Sequence, residues 1–87
     1  MYKKISIIIP AYNENKNILK LIQNILSLNI NLKIIVVDDS RSKNKKLEKL
    51  NRKNKIYYLF RGKKLGRGSA VIDGLKFAKK KKFNTFI

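Results

Sequence analysis

The feature that most constrains the fold is the segment at residues 34–40, where four branched apolar residues run directly into two aspartates and a serine. A continuous run of Ile and Val of this length predicts a strand buried on both faces, as in a parallel sheet. Aspartate is disfavoured in strands, so this strand should end at Asp38 or Asp39. It therefore places two carboxylates at the carboxyl edge of the sheet, which is where open α/β sheets bind ligands.

The rest of the chain alternates short apolar runs with helical patterns. Strands that alternate with helices imply an α/β fold with a parallel sheet and right-handed crossovers. The predicted order is β-α-β-α-β-α-β, with strands over residues 5–9, 32–37, 56–60 and from 83, and with helices from Ile18, over 42–55 and from Ser69. The chain stops inside an apolar run, so we expect it to be the N-terminal piece of a longer domain.

A second polar segment follows the first predicted strand. Pro10 should end that strand, because proline cannot donate to the sheet ladder. Tyr12 could then stack on a nucleobase, and Glu14 could hold a ribose or a base edge. The alternative interpretation is a simple turn followed by a helix cap. If the first two strands are neighbours, this segment lies beside Asp38 and Asp39.

Three of the four glycines lie in the basic segment at residues 61–69, which precedes a predicted helix. Backbone N–H groups at a helix N-terminus can bind an anion, although a tight turn explains the glycines equally well. The segment is not a Walker A loop, and no Gly-x-Gly-x-x-Gly follows the first strand, which argues against a dinucleotide fold. Further along the predicted helix, Gly74 should allow close approach to a neighbouring element.

The composition excludes several kinds of site. The chain of 87 residues has no cysteine and no histidine, so disulfides, thiolate zinc sites, cysteine nucleophiles and Ser-His-Asp triads are ruled out within it. No apolar run reaches the roughly 18 to 20 residues of a membrane span, and the start lacks the features of a signal peptide. We therefore predict a cytoplasmic location.

The net charge of +17 admits two interpretations. It could indicate binding to nucleic acid or to an anionic membrane. A/T-rich coding explains it as well, because Lys, Ile and Asn make up nearly half the chain, and we favour this explanation. Arginine, which is preferred for phosphate and base contacts, occurs only four times. The four lysines at 79–82 are either a solvated helix end or a contact with an anionic membrane surface.

The three motifs in this order resemble the N-terminal half of a family 2 glycosyltransferase of the GT-A type. The third motif looks most like the polyprenyl-phosphate (dolichyl-phosphate) mannose synthase branch. The matching segments are residues 7–14, 35–40 and 64–70, with 74–76 following. One departure is Ser40-Arg41-Ser42, where the family usually has Gly-Ser and a following Asp.

The resemblance implies a Rossmann-like three-layer α/β/α architecture, the N-terminal half of a nucleotide-diphospho-sugar transferase fold. Residues 1–87 would form the nucleotide-binding half of the domain, truncated before the family's Asp-x-Asp motif. In the family, the segments around Tyr12 and Asp38 contact the nucleotide, and the glycine-containing loop shapes the far side of the pocket. The residues implied for nucleotide-sugar binding are Pro10, Tyr12, Glu14, Val37, Asp38, Asp39, Lys64 and Gly66.

The resemblance also implies a metal that this chain should not hold alone. The family's Asp-x-Asp motif binds Mg²⁺ or Mn²⁺ and the diphosphate at the end of the next strand. Here that strand begins near Asn84 and the sequence ends at Ile87, so we expect the metal ligands and the acceptor site beyond Ile87. We therefore expect no catalysis by these residues alone.

Three functional hypotheses remain at this point. The first is a glycosyltransferase fragment that binds a nucleotide-sugar donor, either GDP-mannose or a UDP-sugar, for transfer to a polyprenyl phosphate or a glycan, with peripheral contact at the cytoplasmic membrane face. The second is a non-catalytic basic module that binds nucleic acid or an anionic membrane. Nucleic acid is disfavoured, because the aromatic residues at 57–60 lie in an apolar strand. The third is a degraded product that does not fold stably.

Overall fold

The computed structural model describes residues 5–13, 15–28 and 30–86, and within these ranges the predicted order of elements is confirmed. Each strand is followed by a helix until the last strand. The elements are β1 (Ile5–Ala11), α1 (Asn15–Ser27), β2 (Leu32–Asp38), α2 (Lys45–Arg52), β3 (Tyr57–Phe60), α3 (Arg67–Lys80) and β4 (Asn84–Phe86).

The strands form a single parallel sheet in the order β3-β2-β1-β4. From β1 the chain steps outward to β2 and β3, and it then returns to place β4 on the opposite side of β1. The strand order therefore reverses beside β1. In open α/β sheets the crevice outside the carboxyl ends of the strands at such a reversal is the usual ligand site.

Alternate residues of β2 contact opposite helical layers, which explains why this strand is apolar throughout. Ile34 and Val36 pack with Ile22 of α1 and Leu47 of α2. Ile35 and Val37, which alternate with these two residues along the strand, pack under α3. All four β2 side chains in these contacts are fully buried. The sheet is thus covered on both faces, as the predicted α/β/α architecture requires.

The prediction that Pro10 ends the first strand was wrong, since β1 continues through it to Ala11. The Ala11 carbonyl accepts from the Asp39 N–H at 2.9 Å, so Ala11 directs its backbone groups toward β2. Successive residues of a strand direct these groups to opposite sides, so the Pro10 nitrogen faces the β4 side. There β4 pairs only with residues 5–7 of β1, and the missing N–H breaks no described ladder bond.

Three predicted helix boundaries also needed correction. The first helix begins at Asn15, three residues before Ile18, where its apolar stripe starts. The helix expected over residues 42–55 spans only Lys45–Arg52, because the Asn44 side chain caps it by accepting from the N–H groups of Lys46 and Leu47. The third helix begins at Arg67, two residues before Ser69, because Gly66 takes the N-cap position with φ of +99°. That left-handed backbone conformation favours glycine, and it gives the turn into α3.

Candidate functional site

A pocket opens at the carboxyl end of β1, on the side of the sheet covered by α3. It brings the three sequence motifs together, since each of them contributes part of the wall. The lining residues are Pro10, Ala11, Tyr12, Asp39, Lys64, Gly66, Arg67 and Ala70. A second depression on the other side of Tyr12 is lined by Asn13 and by residues 40–42.

Hydrogen bonds from backbone N–H groups to side-chain oxygens order the loops that follow β1 and β2. The Asn13 N–H donates to Ser40 Oγ at 2.7 Å, across the gap between the two loops. The Ser40 N–H donates to Asp38 Oδ1 at 2.9 Å and closes a local turn. The segment Ser40-Arg41-Ser42, which departs from the family pattern, thus still begins with a well-bonded turn that places Asp39 at the pocket.

Asp39 is paired with Arg61, the residue that directly follows β3. The Arg61 guanidinium donates from Nε to Asp39 Oδ1 at 2.5 Å and from Nη2 to Asp39 Oδ2 at 2.7 Å. The N–H of Leu65 donates to the same Oδ2 at 3.1 Å. Both partners are largely shielded from solvent, with exposed side-chain fractions of 9% for Arg61 and 6% for Asp39. This forked, charge-assisted geometry is the strongest form of carboxylate pairing.

The ion pair changes the acidity of both groups. The hydrogen bonds from Arg61 outweigh the effect of burial and lower the pKa of Asp39 below its usual 3.8. The same bonds raise the pKa of the Arg61 guanidinium. Asp39 is therefore a carboxylate at any pH near neutrality, and it can accept hydrogen bonds but cannot donate them.

Asp38 is turned away from the pocket and is 2% exposed. Its Oδ2 accepts a hydrogen bond from the Tyr58 hydroxyl at 2.5 Å, and that hydroxyl in turn accepts from the Asn44 N–H at 3.0 Å. Burial is the main reason that the pKa of Tyr58 is raised. Because the two neighbouring acids have separate partners on opposite sides of the strand, they do not form an acid–base pair.

The open side of the pocket combines an aromatic ring with two cations. The Tyr12 side chain is 42% exposed at the carboxyl end of β1. The Lys64 ammonium lies 5.2 Å from the centroid of the Tyr12 ring, within the range of a cation–π contact. Arg67, at the start of α3, lines the same wall. Because Arg61 neutralises Asp39, the net charge of the pocket wall is positive.

The structure brings most of the predicted site residues together. Val37 and Asp38 are buried beside the pocket and do not line it, and Glu14 lies outside the described residues. The roles of all eight residues in binding stay predictions. Those that line the pocket are Pro10, Tyr12, Asp39, Lys64 and Gly66.

Sequence reasoning overlooked Arg61 and Tyr58, and it included Arg67 only as part of the loop expected to shape the far side of the pocket. One signal for Arg61 was present, since it directly follows the third apolar run and so lies at the same sheet edge as Asp38 and Asp39. Nothing in the sequence marked Tyr58, because an aromatic residue in an apolar strand indicates packing and not a hydrogen bond to an acid.

The described residues contain no cluster of acidic side chains that could hold a divalent cation by itself. Among them no three acidic side chains lie close enough together to hold one. Both oxygens of Asp38 and both oxygens of Asp39 already accept hydrogen bonds. These bonds use part of the lone-pair capacity of both carboxylates. Of the helices in the described ranges, none has both the length and the hydrophobicity of a membrane span.

Comparison with known proteins identifies relatives of the chain. The family model for glycosyl transferase family 2 matches residues 6–87. An uncharacterized protein of Methanocaldococcus jannaschii is 43% identical over 75 residues, which are 82% of this chain and 32% of that protein. A dolichol-phosphate mannosyltransferase of Pyrococcus furiosus is 40% identical over 80 residues, which are 86% of this chain and 22% of that enzyme.

The matched region thus spans about a third of one relative and less than a quarter of the other. No solved structure matches the chain significantly. The match to the family model nevertheless covers nearly all of the sequence and includes all three motifs.

Proposed function

The chain belongs to glycosyl transferase family 2, and from that premise we propose that it forms the donor-binding half of a glycosyltransferase. The substrate bound by this half is a nucleotide sugar, either GDP-mannose or a UDP-sugar. The acceptor of the whole enzyme is a polyprenyl phosphate.

One observation carries the proposal. A single pocket at the reversal of strand order combines the exposed Tyr12 ring, the carboxylate of Asp39 and the cations Lys64 and Arg67. A nucleoside diphosphate needs the same three chemistries. Its base stacks on an aromatic face, its base or ribose donates to a carboxylate, and its phosphates are attracted by positive charge.

Lys64 and Tyr12 support a particular placement of the donor. The Lys64 ammonium lies over the Tyr12 ring. A base that stacks on this ring displaces the ammonium toward the phosphates, where the charge interaction is stronger than a cation–π contact at an exposed site. Arg67, from the adjacent turn of α3, adds a second cation on the same side.

The acceptor rests on the relative from Pyrococcus furiosus, which is named a dolichol-phosphate mannosyltransferase. Its name points to a polyprenyl phosphate as acceptor and to mannose as the sugar. By analogy, we assign a lipid phosphate acceptor to the enzyme of which this chain is a part. A glycan acceptor is the alternative within the same family.

The metal belongs to the same proposal. A Mg²⁺ or Mn²⁺ ion bound with the donor would neutralise charge on the leaving nucleoside diphosphate. Because no three acidic side chains cluster among the described residues, we assign the metal ligands to residues outside this chain. Within the described chain, Lys64 and Arg67 supply positive charge near the phosphates.

A lipid acceptor implies contact with a membrane surface, and we propose a peripheral contact at the cytoplasmic face. The lysines at 79 and 80 are exposed in the last turn of α3, and exposed lysines near an anionic surface attract it. Lys81 differs from them, since its ammonium lies 6.0 Å from the Tyr57 ring centroid and 5.7 Å from that of Phe77.

The alternative of a nucleic-acid module has one feature in its favour. A groove between α1 and α2 is lined by Lys46, Lys49 and Lys53 around the apolar residues Leu19 and Leu50. No stacking aromatic lines this groove, and single-strand binding generally uses aromatic side chains as platforms for the bases. We therefore keep nucleic-acid binding only as an alternative outcome of the binding experiment described next.

Equilibrium binding of GDP and UDP to the 87-residue chain tests the proposal. We expect one nucleotide to bind, with affinity reduced about five- to 150-fold in Tyr12→Ala, since stacking contributes roughly 1–3 kcal/mol per base. Lys64→Ala should weaken binding by a similar factor, because it removes a charge-assisted contact. Lys63→Ala is the matched control, since the exposed Lys63 neighbours Lys64 and does not line the pocket.

The proposal fails if the folded chain binds neither nucleotide, or if the Lys63 and Lys64 variants lose affinity equally. Binding to single-stranded DNA that falls steeply with salt and does not compete with GDP or UDP would favour the nucleic-acid module. Circular dichroism of each variant separates a lost contact from a lost fold.

A further inference from the structure

We infer that Arg61 is a positioning residue, which holds the wall of the pocket formed by residues 64–67 in place against Asp39 and Tyr12. This inference rests on the proposed function, because it assigns Arg61 a part in donor binding. Arg61 does not line the pocket and would not touch the ligand. It acts through the residues that it binds.

The guanidinium joins three separate pieces of the chain. Its bonds to Asp39 connect it to the end of β2. Its Nη2 donates to the Gly66 carbonyl at 3.1 Å, which ties down the turn before α3. Its Nη1 donates to Ser69 Oγ and to Asp73 Oδ2, both at 2.9 Å, on the first two turns of α3. One side chain thus sets the position of the turn and of the helix start relative to β2.

The same bonds limit what Asp39 can offer a ligand. A carboxylate has about four lone-pair positions, and Arg61 with the Leu65 N–H occupies three of them. Asp39 can therefore accept only about one hydrogen bond from a ligand. Its larger contribution is to anchor Arg61 and the Leu65 backbone, and through them Lys64 and Arg67 on the wall.

This role requires arginine and not simply a positive charge. The planar fork of the guanidinium directs donors to Asp39, Gly66 and Asp73 at once. A lysine has a single ammonium and cannot span these acceptors, although it preserves the charge. Arg61→Lys therefore separates the geometric role of Arg61 from its electrostatic one.

The pH dependence of nucleotide binding distinguishes this role of Arg61 from a purely structural one. Arg61 faces Asp39 from β2 and Asp73 from α3, while Lys64 and Arg67 line the pocket on the other side. Because Arg61 lowers the pKa of Asp39 below 3.8, the anchor stays ionised in acid. Without Arg61, burial becomes the largest remaining influence and raises that pKa, so Asp39 takes up a proton and the anchor is lost as pH falls below about 5.

The experiment measures GDP and UDP binding to the wild-type chain and to Arg61→Lys, Arg61→Gln and Asp73→Asn between pH 4 and pH 7. Hydrogen exchange at the Leu65 amide, recorded without nucleotide, reports whether the wall is held. Arg52→Lys is the matched control, because Arg52 is exposed at the end of α2 and far from the pocket in the fold.

We expect Arg61→Lys to weaken binding about tenfold, in line with the loss of charge-assisted hydrogen bonds, and to speed exchange at Leu65. Arg61→Gln should add an affinity loss below about pH 5 that the wild type does not show. Asp73→Asn should weaken binding about two- to threefold, since Asp73 is half-exposed and holds only the α3 end of the network. Arg52→Lys should match the wild type.

The inference is overturned if Arg61→Lys and Asp73→Asn bind nucleotide like the wild type, or if the Leu65 amide exchanges equally fast in all variants. If Arg61→Gln does not fold, the other two variants still decide the matter. A wild-type chain that protects Leu65 but binds neither nucleotide overturns the proposed function, and with it the part of Arg61 in binding.

Discussion

Asp38 shows how a buried carboxylate is accommodated in this fold. It lies at the end of the central strand β2 and is almost fully buried, so its oxygens must find donors within the protein. The Tyr58 hydroxyl and the Ser40 N–H supply them. Tyr58 also accepts from the Asn44 N–H, which links the start of α2 to the sheet edge. One hydroxyl therefore stabilises both the acid and the helix cap.

Tyr58→Phe tests this arrangement. We expect the free energy of unfolding to fall by about 1–3 kcal/mol, because the change leaves a buried carboxylate oxygen without its donor. Urea denaturation followed by circular dichroism measures the loss. Tyr57→Phe is the matched control, because Tyr57 packs its ring against Phe77 and Phe83 and should lose little.

Tyr58→Phe should also change how the free energy of unfolding depends on pH in the alkaline range. Burial raises the pKa of Tyr58 above its usual 10.0, so the native state keeps a proton that the unfolded chain releases. Above about pH 10 the unfolded state binds fewer protons, and the free energy of unfolding falls as pH rises. Tyr58→Phe should remove this part of the slope. An unchanged slope would contradict the burial of the hydroxyl.

At the scale of elements, the contact between α3 and β1 depends on the absence of a side chain. Gly74 is buried against Ile8, and a Cβ built at Gly74 would lie 2.7 Å from Ile8 Cγ2. No real Cβ tolerates that distance, so Ile8 or the helix would have to move. The sequence-based expectation that Gly74 allows a close approach is confirmed, and the partner strand is β1.

Gly74→Ala should therefore destabilise the fold, although alanine is the better helix former. We expect a loss of about 1–3 kcal/mol from overpacking, partly offset by a gain of up to about 1 kcal/mol in helix propensity. Gly68→Ala in the same helix is the control, because a Cβ there meets nothing within 4 Å and should stabilise. Thermal unfolding of both variants measures the difference. A Gly74→Ala variant as stable as Gly68→Ala would contradict the packing.

At the scale of the whole molecule, the dominant feature is the charge of +17. Among the described residues, the ion pairs are those that Arg61 makes with Asp39 and Asp73, and only the Asp39 pair has both partners shielded from solvent. Most of the lysines thus repel one another on the surface. Self-repulsion of this kind destabilises the compact state, and salt screens it.

Salt should therefore stabilise this protein. Raising NaCl from about 0.1 M to about 1 M shortens the Debye length from about 10 Å to about 3 Å. A gain of about 1 kcal/mol would raise Tm by about 4–8 °C in a domain of this size. The triple variant Lys20→Gln, Lys76→Gln, Lys80→Gln should have a higher Tm at low salt and a smaller salt response. A Tm that falls with salt would mean that attraction, not repulsion, dominates the surface.

Much of this fold was readable from the sequence because it depends on local patterns. The apolar run before Asp38 is long enough to require burial on both faces, and the spacing of Ile18 and Ile22 specifies a helical stripe. Glycines also predict the turn before α3, because backbone freedom is a property of the glycine residue itself and does not depend on tertiary contacts. These signals determined the order of elements and the sheet edge that carries the site.

The tertiary structure alone decided which side chains meet there. Pairing of β1 with β2 and β4 decided that Pro10 lies inside a strand, because β4 pairs only with the first half of β1. Parallel pairing of β3 with β2 brought Arg61 to Asp39, and the return of the chain toward the far side of β1 laid α3 over the same edge. Contacts between residues more than twenty positions apart depend on how the strands pair in the folded sheet. A sequence pattern within one segment does not contain that information.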